Sequence, residues 1–247
     1  MRIRSIVFLL FIALTFSSCQ PNILTNQESS FLRVQQDVEK EKDLFQMIQP
    51  YRKNLEAEMN VPIGYSEMEM SHRGIGETAL GNFVADVQKS FAEEIFGYDI
   101  DLSVMNNDGL RNSLPKGEIT IGNIYELSPF DNYLYILALE AKDIQKLAEY
   151  IVEKRNLGIN GMFIKSEAGV IETLMLNGQA PQEGKVYKLA INDYLANGGD
   201  NMAFLKELPR LEISNHLLRD ILIREIKLQK DKGLSISSKI EGRQILK

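Results

Sequence analysis

The sequence predicts an α/β domain, and three observations carry that expectation. Helical and strand-like hydrophobic patterns alternate from about residue 38 to the end with no long structureless gap. The composition, 44% hydrophobic and 25% charged, is that of a globular chain and excludes collagen-like and low-complexity classes. The chain has one Cys in 247 residues, so neither an intramolecular disulfide nor a Cys-rich zinc site can stand in for a core.

The elements follow in order. From Phe31 to about Met59 the pattern is helical, with Leu44, Ile48, Tyr51 and Leu55 on one face. Pro50 lies inside it and is expected to kink or split the helix, because it lacks an N–H and crowds the preceding turn. Ile63 to Met70 alternates roughly and suits a strand. Glu77 to Phe96 is the clearest helix, striped by Leu80, Phe83, Val84, Val87 and Phe91 and closed by Gly97 as a C-terminal cap. Asp101 to Met105 reads as a strand running into a loop from Asn106 to Gly117. Ile119 to Glu126 reads as a short strand and a turn of helix. Tyr133 to Leu139 is continuously apolar, the mark of a strand buried on both faces. Lys142 to Lys154 is an amphipathic helix. Met162 to Leu176 is a hairpin broken at Ala168-Gly169. Val186 to Asn192 is a strand, Leu217 to Gln229 a last helix and Leu234 to Ile240 a last strand.

The first residues read as an address rather than as fold. Met1-Arg2-Ile3-Arg4 is a short basic region, and Ser5 to Phe16 is an apolar stretch shorter than the roughly 20 residues a membrane span needs. That is the pattern of a secretory signal peptide. The only Cys, Cys19, follows Ser17-Ser18 at its end, which resembles a bacterial lipobox with Phe16 where Leu is usual. A plain signal peptide with an incidental Cys is the alternative. The expected organisation is a signal peptide over 1–18, a tether over 19–37 that includes the polar run Gln20 to Ser30, and a domain over 38–247. The expected location is the bacterial cell envelope, lipid-anchored through Cys19 and facing the periplasm or the outside.

Charge and residue counts exclude several functions. Lys+Arg is 28 against 34 Asp+Glu, a net charge of −6, and removing residues 1–18 takes away two Arg and no acid. An acidic chain lacks the basic footprint of a nucleic-acid binder. There are two His, His72 and His216. A hydrolytic two-metal site is commonly built from several His with carboxylates, so no metal site and no catalytic residue is assigned within this chain. Both His read as structural or surface residues. No zincin, P-loop or nucleophile-elbow motif is present.

Two loops nevertheless carry the residues of a ligand site. Asn106-Asn107-Asp108-Gly109-Leu110-Arg111 leaves the end of a predicted strand, where α/β proteins commonly bind ligands, and Arg111 offers a planar five-donor fork. Asn192-Asp193-Tyr194-Leu195-Ala196-Asn197-Gly198-Gly199-Asp200 also follows a strand. It offers Tyr194 as an aromatic platform and Asp200 as an acceptor for sugar hydroxyls. A third piece, Ser128-Pro129-Phe130-Asp131-Asn132, precedes the apolar strand and holds a second aromatic. Taken singly, each is also what a solvated turn with one surface Arg, or a Gly-rich turn with a partly buried ring, looks like.

Together and in this order the pieces resemble the C-terminal domain of the 5'-nucleotidase family, which includes UDP-sugar hydrolases. The resemblance lies in Glu77-Thr78-Ala79-Leu80-Gly81-Asn82-Phe83-Val84-Ala85-Asp86, in the Asn106 to Arg111 loop, in Pro129 to Asn132 and in Asn192 to Asp200. A closing Gly242-Arg243-Gln244-Ile245 completes it. It implies a four-layer α/β/β/α domain that binds a nucleoside. By the same resemblance Phe130 and Tyr194 would sandwich the base, Asp200 would accept from the ribose, and Asn106, Arg111 and Asn132 would complete the substrate-binding set. The chain departs from the family pattern at Gly76, where an Arg is common, with Arg73 three residues earlier. It departs again at Asp108, which replaces a Gly and adds negative charge near a would-be phosphate.

The family's catalytic power sits in a metallophosphoesterase domain with two metals. Only about twenty residues separate the lipobox from the resembling region, too few for such a domain. The expectation is therefore a substrate-binding subunit of a split periplasmic 5'-nucleotidase, with divalent metals on a separate metallophosphoesterase chain and no cofactor in this one. The alternatives are a nucleotide- or nucleoside-binding lipoprotein without a hydrolytic partner, and a diverged interaction module.

Overall fold

The computed structural model describes residues 30, 31 and 41–247. The signal peptide read over 1–18, Cys19, most of the tether and the start of the first helix lie outside the described residues.

Helix α1 (Lys42–Met59) runs unbroken through Pro50 and buries none of its residues. The expected split is thus corrected. Pro50 cannot bond the carbonyl of Gln46, but on an exposed helix water can take that carbonyl. Leu44, Ile48, Tyr51 and Leu55 share the stripe and are exposed.

Residues 48–247 pack as one unit containing three sheets. Strand β1 (Pro62–Ser66) pairs antiparallel with β3 (Gly117–Thr120). Helix α2 (Ala79–Phe96) is capped at both ends as its sequence requires. The Thr78 hydroxyl accepts from the Gly81 N–H, and Gly97 takes a left-handed φ of 73° while its N–H bonds Glu93 O. β2 (Leu102–Asn106) follows, and the short helix α3 (Ile121–Leu127) comes after β3. β4 (Tyr133–Leu139), α4 (Ala141–Lys154), the hairpin β6 (Met162–Glu167) and β7 (Val170–Leu176), and β8 (Tyr187–Asn192) all fall within a residue of the sequence reading.

Three strands escaped that reading, the last strand of the chain among them. β5 (Leu157–Asn160) is four residues long, with Gly158 pressed on the backbone of Gly81 so closely that a Cβ would lie 2.3 Å from Gly81 C. β9 (Arg210–Leu217) is an edge strand whose outward positions include Leu211 and Ile213, so its alternation points the wrong way for a core. The predicted strand over Leu234 to Ile240 is not formed. Ile236 makes a single bridge with Ser66 and is buried, while Leu234 and Ile240 are exposed. The last strand is instead β10 (Gln244–Leu246), parallel to β6. It follows the last helix α6 (Leu218–Asp231).

The main sheet has the order β5-β2-β8-β4-β9, parallel between β2 and β8 and antiparallel elsewhere. One face, through Met105, Leu134, Ile136 and Ala190, packs on Leu80, Val84 and Val87 of α2 and on Leu218, Leu222 and Ile226 of α6. The other face, through Val104, Leu137, Leu139, Leu189 and Ile191, packs with Ile144, Leu147 and Ile151 of α4 and with Ile164 and Leu176 of the β6–β7 hairpin. Burial on both faces is why β4 reads as a continuous apolar run. Each fully buried large side chain contributes about 1.5–3 kcal/mol. The expected mixed α/β architecture is therefore present, with a helical layer on one face of the five-stranded sheet and a second sheet and helix on the other.

Candidate functional site

The topology brings the three singled-out segments to one place. β2 and β8 are parallel neighbours, with Leu102 opposite Leu189, so their C-terminal ends lie side by side. β4 runs antiparallel to β8 with Leu134 opposite Asn192, so the turn entering β4 arrives at that same end. The Asn106 loop, the Asn192 loop and the Phe130 turn are thereby neighbours.

They enclose a cavity of about 320 Å³ lined by Asn106, Asp108, Gly109, Arg111, Phe130, Asn132, Tyr194 and Asp200. All six residues singled out in the three segments lie on its wall. A wider depression of about 480 Å³ runs along α6 between Asp220 and Asp231. It is walled by one helix and holds no aromatic side chain among the described residues.

Local geometry fixes each wall residue. Asn192 caps the short helix α5 (Asp193–Ala196), its side-chain oxygen accepting from the Leu195 N–H at 2.8 Å, and α5 carries Tyr194. Gly199 lies against the Tyr194 ring so tightly that a Cβ there would come within 2.5 Å of it. Tyr194 is 47% exposed. Asp200 sits in the left-handed region at φ 51°, ψ 31° and is held from several sides. The Tyr194 hydroxyl donates to Asp200 Oδ1 at 2.7 Å, the Asn106 amide donates to Oδ2 at 2.7 Å, and the Tyr150 hydroxyl donates to the Asp200 carbonyl at 2.8 Å. Asn106 is itself oriented by the Asn192 amide, 3.3 Å from its side-chain oxygen.

The Phe130 turn is tied down at both ends. Asp193 accepts from the Asn132 amide at 3.2 Å and from the Tyr133 N–H at 3.0 Å. At the other end the nearly buried Arg219 donates to Asp131 at 2.7 Å and lies 4.4 Å from the centre of the Tyr125 ring. The Arg111 guanidinium rests 5.1 Å from the centre of the Phe130 ring.

The Tyr194 hydroxyl is held above the usual tyrosine range chiefly by donating to the Asp200 carboxylate. Burial raises Tyr150, with the Asp200 charge next. His72 is lowered by burial and then by Arg73, with Asp108 opposing and Arg111 adding a smaller push down. Its Nδ1 is buried with no hydrogen-bond partner among the described residues. His216 packs edge-on to Phe91 at 5.1 Å. Gly76 is left-handed at φ 77° and hands its carbonyl to the Asn107 amide, while Arg73 is exposed and off the cavity wall. Among the described residues no three His, Cys, Asp or Glu side chains are grouped to hold a metal ion.

Four residues that shape the wall were not singled out. Asn192 and Asp193 lie inside the quoted nine-residue segment, but only its aromatic and its last acid were assigned roles. Tyr150 and Arg219 come from helices with no motif around them, and only the fold shows where they reach.

The family profile "5'-nucleotidase, C-terminal domain" matches residues 56–207. The trifunctional nucleotide phosphoesterase protein YfkN of Bacillus subtilis is 28% identical over 236 residues, covering 87% of this chain and 16% of its own. A 5'-nucleotidase of Vibrio vulnificus is 22% identical over 68% of this chain and 31% of its own. Among solved structures, a 5'-nucleotidase precursor from Thermus thermophilus superposes with a TM-score of 0.69 at 24% identity, covering 83% of this chain and 43% of that one. The chain spans less than half the length of each of these relatives. On the family match over residues 56–207, it belongs to the 5'-nucleotidase family through that family's C-terminal domain.

Proposed function

We propose that this chain holds the nucleoside part of a nucleotide while a separate metallophosphoesterase chain breaks the phosphate ester. The observation that carries the reading is the convergence of Phe130, Tyr194, Asp200, Asn106, Asn132 and Arg111 on one cavity large enough for a nucleoside. Two aromatic rings on separate segments supply faces for a flat heterocycle, each stacking contact worth about 1–3 kcal/mol. Asp200 keeps free lone pairs beside its two bonds and can accept from ribose hydroxyls. These groups bind and orient. Activation of water and neutralisation of the phosphate would fall to divalent metals on the partner. Anchoring through Cys19 would keep the chain at the cell envelope, facing the periplasm or the outside.

Titration calorimetry with adenosine and AMP, followed by assay with secreted metallophosphoesterases and divalent metals, tests the reading. Binding to the purified chain with phosphatase activity only on mixing is the expected result. Binding without any gain on mixing would make the chain a nucleotide-binding lipoprotein with no hydrolytic partner. A folded chain that binds neither ligand would end the nucleoside reading.

A further inference from the structure

We infer that the cavity selects the uncharged nucleoside end of its ligand and makes no net grip of its own on a 5'-phosphate dianion, with Asp108 setting that selectivity. The inference rests on the nucleoside reading above and deepens it.

Among the described residues, three charged side chains stand on the wall: Asp108, Asp200 and Arg111. The Asp200 carboxylate is bonded through both oxygens, but its donors are a phenol and an amide, which carry no positive charge to cancel its own. Asp108 is exposed and has no ion pair with a described Lys, Arg or His within 4.0 Å. Arg111 is the sole cation among these wall residues, and its guanidinium lies over the Phe130 ring. The wall therefore carries one negative charge in excess. His72 lies in the field of Asp108 and Arg111, and its burial favours the neutral imidazole, so it does not redress the balance.

A dianion brought to this wall gains from Arg111 and loses to two carboxylates. In water-like surroundings a carboxylate about 6 Å from a dianion weakens its binding by roughly tenfold. A neutral base and ribose meet none of that opposition and gain the stacking faces and the Asp200 acceptor. This division suits a split enzyme, because the partner's metals would meet the phosphate and this chain would hold the nucleoside.

The test is calorimetry of the purified chain with adenosine and with AMP at low salt, on the wild type and on Asp108→Asn. Circular dichroism and a melting curve check that the variant is folded. The wild type is expected to bind AMP no more than threefold tighter than adenosine. Asp108→Asn is expected to shift the ratio toward AMP by three- to tenfold, and 0.5 M NaCl to shrink that shift. AMP binding more than threefold tighter than adenosine in the wild type, or a ratio moved less than threefold by the variant, overturns this inference and leaves the nucleoside reading standing. A folded wild type that binds neither ligand removes both.

Discussion

Gly199 decides where the Tyr194 ring can lie. A Cβ at position 199 would stand 2.5 Å from Tyr194 Cε1 and Cζ, far inside contact distance, so the ring must give way. Gly199→Ala is therefore expected to weaken adenosine binding about as much as Tyr194→Ala, tenfold or more, while the melting temperature moves little because the ring is half exposed. Calorimetry on the two variants checks this, and near-wild-type affinity in both would remove Tyr194 from the site. Tyr150 acts one step behind. Its hydroxyl supports the left-handed Asp200 through the main-chain carbonyl, so Tyr150→Phe leaves that carbonyl short of a donor at a cost of about 1–3 kcal/mol. Its pKa is raised by burial first, so the fold favours the neutral phenol. That stability is present below the unfolded value near 10 and is lost as pH rises through the higher folded value. Urea midpoints measured from pH 8 to 11 should fall above about pH 10, and less steeply in Tyr150→Phe. Tyr98 and Tyr194 are raised as well, so the slope should shrink without vanishing.

At the scale of elements, the Ser128–Asn132 turn presents Phe130 only because α6 and α5 hold it. Arg219, the second residue of α6, reaches Asp131 and the Ser128 carbonyl and lies against Tyr125, while Asp193 of α5 holds Asn132. Arg219→Met keeps the apolar stem and removes the fork. It should weaken adenosine binding three- to tenfold, and Arg219→Lys should recover only part of the loss, since a point charge cannot reproduce a planar fork. Unchanged affinity in Arg219→Met would mean that the turn holds its shape without that clamp. Elements of this kind explain what was legible beforehand. α2 could be read because Thr78, its apolar stripe and Gly97 all agree locally. β4 could be read because both its faces are buried. β9 could not, because an edge strand turns Leu211 and Ile213 outward. The run from Leu234 to Ile240 misled because alternation states a capacity to pair, and pairing needs a partner strand. The cavity wall was legible where one short segment holds the residues, as in Asn192 to Asp200, while its supports Tyr150 and Arg219, which reach Asp200 and Asp131 from helices distant in sequence, were not.

For the whole molecule, the question is whether stability and binding are separable. The C-terminal segment is fastened by Arg243, which pairs bidentately with Asp86 of α2, donates to the Ile159 carbonyl and is joined by Glu241. Burial opposes its charge, and these partners more than restore it, leaving its pKa raised. Asp86→Ala removes the central partner of a mostly buried guanidinium. The loss should be on the order of 1–3 kcal/mol, below the cost at a fully buried pair because Asp86 is partly exposed and Glu241 remains. For a chain of this size that lowers the melting temperature by roughly 2–4 °C per kcal/mol. Asp86 shares none of its hydrogen-bond partners with the cavity wall, so the two effects should add. Adenosine at a hundred times its Kd stabilises a one-site binder by about 2.7 kcal/mol. The same upward shift, about 5–10 °C, is therefore expected in wild type and in Asp86→Ala, from different starting points, and a tenfold weaker affinity in Gly199→Ala should cut it to about half at the same ligand concentration. A shift that shrinks in Asp86→Ala would show that the C-terminal fastening and the cavity open together, and the domain would then bind its ligand as one cooperative body rather than through a wall built on an independent frame.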